Sequence, residues 1–220
     1  MNIMNIMKIL KITRLYASLL IILFALFTPS NNNNIKDCIT IQGGGYSGFW
    51  HVYGYLQRNN ITKNSSKNIY CYSSGCLAYV ALLSHNDSIS LYKLANIIRN
   101  ENNNNNYRIK EQFINIIATN ISNIQNYNLN ILTSNYLGQC IIKKPTTVSE
   151  LLIALDETTN IPLITTKLDL RKNIDGWLCY IFNFNTNCIA TISFPYDYKF
   201  YKNIFNSKFK YEDVLYFIKK

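Results

Sequence analysis

Histidine is almost absent from this sequence of 220 residues, which contains only His51 and His85. With so few histidines, and with no two cysteines in a C-x-x-C pair, the chain lacks the ligand spacing of a structural zinc site. Acidic residues are also scarce, and none lies between Asp37 and Asp87. We therefore expect no metal ion and no other cofactor.

Arginine occurs only five times, whereas asparagine and isoleucine occur 32 times each and lysine and tyrosine 17 times each. Because codons rich in A and T encode the four abundant residues, the composition indicates an AT-rich genome more than a basic function. The net charge of +10 is then weak evidence for a nucleic-acid partner, and the lysines are scattered rather than gathered on one helix. We expect no nucleic acid among the partners.

Long apolar runs are absent with one exception, residues 15–27, which follow Lys8, Lys11 and Arg14. A basic stretch, a short apolar run and then small polar residues are typical of a signal peptide. The run is shorter than the ~20 residues that cross a bilayer comfortably. We predict that residues 1–30 are a signal peptide or an uncleaved signal-anchor, with a buried helix as a third alternative. The protein would then enter the secretory pathway and be secreted or membrane-associated.

Export would permit disulfide bonds among the six cysteines, and full pairing of six cysteines allows 15 connectivities. The cysteines are Cys38, Cys71, Cys76, Cys140, Cys179 and Cys188. Their spacing does not rank these connectivities. Buried free thiols are an equally open alternative, because a domain of this size does not need covalent cross-links in order to fold.

Strand-like and helix-like stretches alternate along residues 36–220. The predicted strands are 38–42, 68–72, 163–166, the region around Ile181, and 189–194, and the predicted helices are 48–57, 75–83, 88–99, 148–155 and 211–218. Apolar residues at positions 113, 117, 121 and 124 form one more stripe at helical spacing, for a helix that either packs in the core or acts as a lid. The alternation predicts one α/β sheet domain over residues 36–220.

Residues 43–48, GGGYSG, lie between the first predicted strand and the first predicted helix. They satisfy the G-x-G-x-x-G pattern of dinucleotide-binding loops, which also requires an acidic residue about 20 positions later. None occurs before Asp87, so a dinucleotide-binding oxidoreductase is the weaker alternative. Consecutive glycines can also direct several backbone N–H groups towards one point. Gly43, Gly44 and Gly45 are therefore candidates for an oxyanion hole.

Residues 71–75, CYSSG, lie where the second predicted strand passes into a helix, which is the setting of a nucleophile elbow. Ser73 is the candidate nucleophile, and Gly75 supports the elbow. The alternative is that Ser73 and Ser74 only cap the helix. The nearby run of glycines favours the nucleophile.

The general base has to be something other than a histidine that follows the nucleophile in the chain, because no histidine follows His85. Asp175, which directly precedes Gly176, is the candidate base. Asp156 and Asp169 are rivals, but neither of them precedes a glycine.

Four segments resemble, in the same order, the patatin-like phospholipases and lipases: IQGGGYSG at 41–48, CYSSGCLA at 71–78, TTNIP at 158–162 and Asp-Gly at 175–176. That family combines a glycine-rich oxyanion loop, a G-x-S-x-G elbow and a D-G-[GA] aspartate in a serine–aspartate dyad without histidine. The resemblance implies a three-layer α/β sandwich with a central, mostly parallel sheet flanked by helices.

The resemblance also implies a function. Ser73 and Asp175 would form a dyad that hydrolyses carboxylic esters of lipids through an acyl-enzyme, with a lipid or phospholipid substrate at a membrane surface. Gly43 to Gly45 would hold the oxyanion, and Gly75 and Gly176 would support the two catalytic turns. An aspartate that acts as a base at neutral pH needs a dry site that raises its pKa.

Four residues depart from the family pattern. Ser47 replaces a lysine or arginine, Cys71 a glycine, Cys76 a small residue and Trp177 a glycine or alanine. None of the four changes removes a catalytic atom. They leave open a second interpretation, in which the domain is catalytically inactive and binds lipids or proteins.

Overall fold

The computed structural model describes residues 36–61, 67–103, 105–121, 123–162, 164–166, 169, 172–182, 188–193, 195, 197–206, 208 and 210–220. These residues form a six-stranded mixed sheet and the helices that pack on it. Its strands are β1 (Lys36–Ile41), β2 (Asn68–Cys71), β3 (Leu129–Ser134), β4 (Cys140–Lys143), β5 (Ile174–Asp175) and β6 (Cys188–Ile192). The strand order is β4-β3-β2-β1-β6, and β5 also pairs with β3. Strands β6, β1, β2 and β3 are parallel, whereas β4 and β5 are antiparallel to β3.

Eight helices accompany these strands in the described residues. They are α1 (Gly45–Arg58), α2 (Ser74–Ser84), α3 (Ser88–Glu101), α4 (Asn106–Thr119), α5 (Val148–Thr158), α6 (Trp177–Phe182), α7 (Tyr198–Lys202) and α8 (Tyr211–Lys219). Side chains fix several of the starts: Asp87 and Asn105 accept hydrogen bonds from first-turn N–H groups of α3 and α4. Thr147 and Glu150 form a capping box at the start of α5.

The core lies between the sheet and its helices. Val52 of α1, Val80 of α2, Ile117 of α4 and Leu155 of α5 are fully buried there together with Ile131 of β3. Burying a side chain of this kind stabilises the fold by about 1.5–3 kcal/mol. The sheet is therefore held by packing on the apolar faces of the helices, which leaves the strand ends available for a site.

Strand register brings the two predicted loops together. Ile41 at the end of β1 pairs with Cys71 at the end of β2, so the loops that follow both strands start side by side. Strand β2 pairs with residues 129–131 of β3, whereas β5 pairs with residues 133–134, and β4 occupies the other edge of β3. Strand β5 therefore continues along β3 from the point where β2 ends, which places Asp175 beside the turn that follows β2.

The predicted α/β class is confirmed, and so are the strands near residues 38–42, 68–72 and 189–194. The region around Ile181 was predicted to be a strand, which is wrong, because it lies in helix α6. Thr166 makes only an isolated bridge to Pro162, so no strand forms in the described part of 163–166.

Strands β3, β4 and β5 were not predicted. All six residues of β3 are buried, so the alternation that marks a half-exposed strand is missing. The neighbouring asparagines also give the segment the composition of a loop; one of them, Asn130, donates from its side chain to the backbone carbonyl of Ile69.

The apolar stripe belongs to the core rather than to a lid. Helix α4 ends at Thr119, so the stripe continues beyond the helix through Ile121 and into the short 3₁₀ helix Ile124–Asn126. Ile117, Ile121 and Ile124 are all buried. Of the stripe, Phe113 is the half-buried member.

All six cysteines are paired, as Cys38–Cys188, Cys71–Cys76 and Cys140–Cys179. The alternative of buried free thiols is therefore wrong. The predicted leader, residues 1–30, lies outside the described residues. In the part of the chain that is described, no helix has the length and apolar character needed to cross a membrane.

Candidate active site

Ser73 lies on a strained turn between β2 and α2. Its backbone has φ 54° and ψ −140°, a region that residues with a Cβ rarely occupy and that costs about 1–3 kcal/mol. Ser73 is at the N-cap position of α2, yet its side chain makes no capping hydrogen bond. The geometry is that of an elbow that presents a side chain, rather than that of a cap.

Thr158, the last residue of α5, holds this turn from behind. The backbone N–H of Ser73 donates to Thr158 Oγ1 at 2.9 Å, and the same hydroxyl donates to the backbone carbonyl of Leu132 at 2.7 Å. Thr158 is fully buried. The hydroxyl therefore connects the turn to the neighbouring strand β3.

Three glycines let backbone segments approach the site closely. A Cβ on Gly43 would lie 2.5 Å from Ser73 Cβ and 3.1 Å from its Oγ, so the glycine loop touches the Ser73 side chain. A Cβ on Gly75 would lie 2.4 Å from the carbonyl oxygen of Gln42, and one on Gly176 would lie 2.1 Å from that of Leu132. All three positions thus exclude a side chain for steric reasons.

One N–H group of the three consecutive glycines already has a partner. The Gly44 N–H donates to Ser74 Oγ at 3.0 Å. Burial raises the pKa of the neighbouring Tyr72 phenol well above its ordinary value. Of the three predicted oxyanion donors, Gly45 is the first residue of α1, where an N–H has no partner within the helix.

Ser74 is a further candidate donor, one that the sequence motifs alone do not indicate. It is the first residue of α2 and follows the nucleophile, the position from which hydrolase elbows contribute a backbone N–H. Ser74, Ser73 and Gly45 line the same pocket. The N–H groups of Gly45 and Ser74 lie at two helix N-termini, which favour negative charge.

Two hydrogen bonds with backbone groups hold Asp175 in place, one at its own N–H and one at its carboxyl group. Its N–H donates to the carbonyl of Asn160 at 3.0 Å, and its Oδ1 accepts from the N–H of Trp177 at 2.9 Å. Oδ2 is buried and accepts no hydrogen bond from the residues that the structure describes. Burial raises the pKa of Asp175 to about 7, although interaction with the Ser73 hydroxyl lowers it. Such a carboxyl can act as a base near neutral pH.

The rival aspartates have other environments. Asp156 Oδ1 lies 2.7 Å from Lys110 Nζ, and Lys172 is a second ion-pair partner. Burial raises the pKa of Asp156, but the two lysines together lower that pKa by more. The resulting pKa therefore lies below the ordinary value of an aspartate. Asp169 is exposed. The lowered pKa makes Asp156 a weaker proton acceptor than Asp175.

An apolar pocket opens beside Ser73. Apolar side chains make up most of its lining. Its walls come from α1, α2, α3, α4 and the segment after α7, and include Phe49, Leu77, Ile98, Phe113 and Phe205. Arg99 and Lys110 are its charged members. Its mostly apolar lining with a few polar groups is typical of a site for a largely apolar small molecule.

The departures from the family pattern have structural explanations. Ser47 is fully buried, and its hydroxyl donates to the carbonyl of Phe200 at 2.9 Å, so a lysine or arginine at this position would displace helix α7. Cys71 and Cys76 are bonded to each other. Trp177 supplies the backbone N–H that binds Asp175 Oδ1, a role that does not depend on its side chain.

No protein-family model matches the chain, and no curated protein sequence matches it either. The described residues contain no cluster of three histidine, cysteine, aspartate or glutamate side chains that could hold a metal ion. What the site offers is a serine on a strained turn, a buried carboxyl group with a raised pKa, two helix N-termini and an apolar pocket. Those groups are suited to acyl transfer.

Proposed function

We propose that this protein is a lipid acyl hydrolase of the phospholipase A or lipase type, with the three-layer architecture of the patatin-like family. The observation that carries the proposal is the strained, left-handed backbone of Ser73, placed between a glycine loop and the buried carboxyl of Asp175. A helix cap needs no such strain, whereas a nucleophile that must project from a turn does.

In the proposed reaction, Ser73 Oγ attacks the ester carbonyl and its proton passes to Asp175. The oxyanion that forms is stabilised by backbone N–H groups at the starts of α1 and α2, from Gly45 and Ser74. The alcohol leaves with the proton from Asp175, and the acyl group stays on Ser73. Water then attacks the acyl-enzyme and gives a proton to Asp175. As the bond between the acyl group and Ser73 Oγ breaks, Asp175 returns that proton to Ser73 Oγ and the carboxylic acid is released.

The pocket supports a lipid substrate. Its aromatic and aliphatic walls lie beside Ser73, so an acyl chain could enter while its carbonyl stays at the elbow. The three disulfides are typical of an oxidising compartment and support the proposed route through the secretory pathway. We propose that the enzyme acts at a membrane surface.

The test is hydrolysis of a chromogenic ester and of phosphatidylcholine vesicles by the full chain, together with labelling by a fluorophosphonate and peptide mapping. We expect labelling at Ser73, and loss of turnover in Ser73→Ala and in Asp175→Asn. Ser84→Ala is the matched control, because Ser84 ends the same helix and its hydroxyl is hydrogen-bonded to the carbonyls of Val80 and Ala81 and to Nδ1 of His85, none of which belongs to the proposed site. Full turnover in Ser73→Ala would refute the dyad.

One observation favours an inactive binding module as the second candidate. The N–H of Gly44 already donates to Ser74 Oγ, so one of the three expected oxyanion donors is occupied. In that case the wild type would retain vesicle binding but show neither Ser73 labelling nor ester hydrolysis.

A further inference from the structure

The Cys71–Cys76 disulfide closes a ring around the candidate nucleophile. Cys71 is the last residue of β2 and Cys76 is the third residue of α2, so the ring contains residues 72–75. Both cysteines are fully buried. The bond therefore ties the end of the strand to the start of the helix across the turn that presents Ser73.

The turn requires external restraint. A serine at φ 54° keeps that conformation only when its surroundings enforce it. Two hydrogen bonds contribute: Gly75 N–H donates to the carbonyl of Tyr72 at 3.2 Å, and Ser73 N–H donates to Thr158. The disulfide adds a covalent restraint over the same span.

The other two disulfides enclose much longer stretches of the chain, since Cys140 and Cys179 are 39 residues apart. Cys38–Cys188 joins β1 to β6 across 150 residues of sequence, whereas Cys71 and Cys76 are only 5 apart. A disulfide that restricts the unfolded chain stabilises the fold more when it encloses more residues. By this route the bond around Ser73 contributes least to stability, so its place at the elbow calls for another role.

We propose that the Cys71–Cys76 disulfide is a positioning element for Ser73, so that ester hydrolysis depends on this bond. The inference rests on the proposed hydrolase function. It also unites two departures from the family pattern, since each cysteine is the partner of the other. Without the bond, the turn would relax towards ordinary backbone geometry and move Ser73 Oγ away from Asp175.

The experiment compares two double variants of the full chain, Cys71→Ala/Cys76→Ala and Cys38→Ala/Cys188→Ala, by kcat and KM for a short chromogenic ester and by thermal unfolding. In the first variant we expect kcat to fall about 10- to 100-fold, with KM and Tm nearly unchanged. In the second we expect the reverse, a clear fall in Tm with kcat retained. The rate of fluorophosphonate labelling should fall in parallel with kcat.

Wild-type kcat in a folded Cys71→Ala/Cys76→Ala protein would overturn the inference. So would a loss of kcat that comes with a large fall in Tm, since the bond would then serve global stability. If the alanine pair does not fold, Cys71→Gly/Cys76→Ala repeats the test with residue types of the family pattern, and a failure of both to fold also overturns it. A failure of the proposed function is distinguishable, because the wild type itself would then show no turnover that depends on Ser73.

Discussion

Thr158 Oγ1 accepts the backbone N–H of Ser73 at 2.9 Å and donates to the Leu132 carbonyl at 2.7 Å. Two residues further on, the carbonyl of Asn160 accepts the N–H of Asp175 at 3.0 Å. One short segment, which ends helix α5 and continues beyond it, therefore orients both members of the proposed dyad. Its geometry should matter to catalysis although it supplies no reacting atom.

Replacing Thr158 with valine removes this hydroxyl and keeps the shape of the side chain. The buried N–H of Ser73 and the carbonyl of Leu132 would each lose a partner, and each unsatisfied buried group costs about 1–3 kcal/mol. We expect kcat to fall about 10-fold or more because the elbow loses its support. Thr158→Ser keeps the hydroxyl and should stay close to the wild type.

Thr133→Val is the matched control for this prediction. Thr133 is equally buried, and its hydroxyl donates to the carbonyl of Ile141 on β4 instead of binding Ser73. We expect this variant to lower Tm and to keep kcat. Equal kcat values for Thr158→Val and the wild type would contradict a positioning role for Thr158.

The ionisation of Asp175 should determine how the rate depends on pH. Burial raises the pKa of Asp175 to about 7, against a smaller lowering by the Ser73 hydroxyl. Only the ionised carboxylate can accept the proton of Ser73, so kcat/KM should rise about tenfold per pH unit below about pH 7 and then level off. Initial rates on an uncharged ester across neutral pH measure this. A rate that stays constant down to about pH 5 would exclude Asp175 as the base.

The raised pKa of Asp175 also predicts how the stability of the fold changes with pH. Because the pKa of Asp175 is higher in the folded state than in the unfolded state, the folded state binds the proton more tightly. Its contribution to stability is therefore fully present below about pH 4 and is lost as the pH rises through about 7. We expect Asp175→Asn to be more stable than the wild type above pH 7, with a smaller difference in acid. Thermal unfolding at several pH values measures this.

Asp156→Asn is the control, because at neutral pH it should change stability in the opposite direction to Asp175→Asn. Burial raises the pKa of Asp156, but Lys110 and Lys172 together lower that pKa by more. The carboxylate therefore stabilises the fold at neutral pH and loses that contribution as the pH falls through its lowered pKa. This variant should be less stable than the wild type at neutral pH. If both asparagine variants changed Tm in the same direction at that pH, the assignment of the two environments would be wrong.

Sequence patterns could identify those site residues whose amino-acid type is uncommon at that point of a strand or loop. Consecutive glycines after a strand, and an Asp-Gly pair late in the chain, stand out without a structure. The role of Thr158 does not, because a threonine at the end of a helix is ordinary and its hydrogen bond depends on β2 and β3 being neighbours. Strand β3 was itself missed, since a strand buried on both faces shows no alternation.

The cysteine pairing could not be predicted for a similar reason. Cys38 and Cys188 are 150 residues apart in sequence and meet only because β6 returns beside β1. Sequence spacing contains no information on that return. The predicted α/β class was easier, because it requires only the alternation of strands and helices and not their order in the sheet.

The contact between Gly43 and Ser73 gives a fourth prediction. In Gly43→Ala the new methyl group would lie 2.5 Å from Ser73 Cβ, so the glycine loop or the elbow must move. We expect at least a 10-fold loss of kcat, since a shift of about 1 Å at a reacting centre can cost about 100-fold. Gly138→Ala is the control: Gly138 has a positive φ, but a Cβ there would meet nothing within 4 Å. That variant should lose some stability and keep kcat, whereas unchanged kcat in Gly43→Ala would contradict the close packing of the two loops.

The pocket gives the last prediction, which concerns acyl-chain length. Each methylene group transferred from water into an apolar wall contributes about 0.8 kcal/mol, so kcat/KM should rise about fourfold per added methylene until the pocket is full. Ala95 on helix α3 lines the pocket, and Ala95→Trp would fill part of it. We expect this variant to keep its rate on the shortest esters and to lose the increase for longer ones. Ile97→Trp is the control, because Ile97 is 54% exposed and does not line the pocket. If both tryptophan variants kept the wild-type dependence on chain length, the acyl chain would have to bind elsewhere, because a filled pocket cannot also hold it.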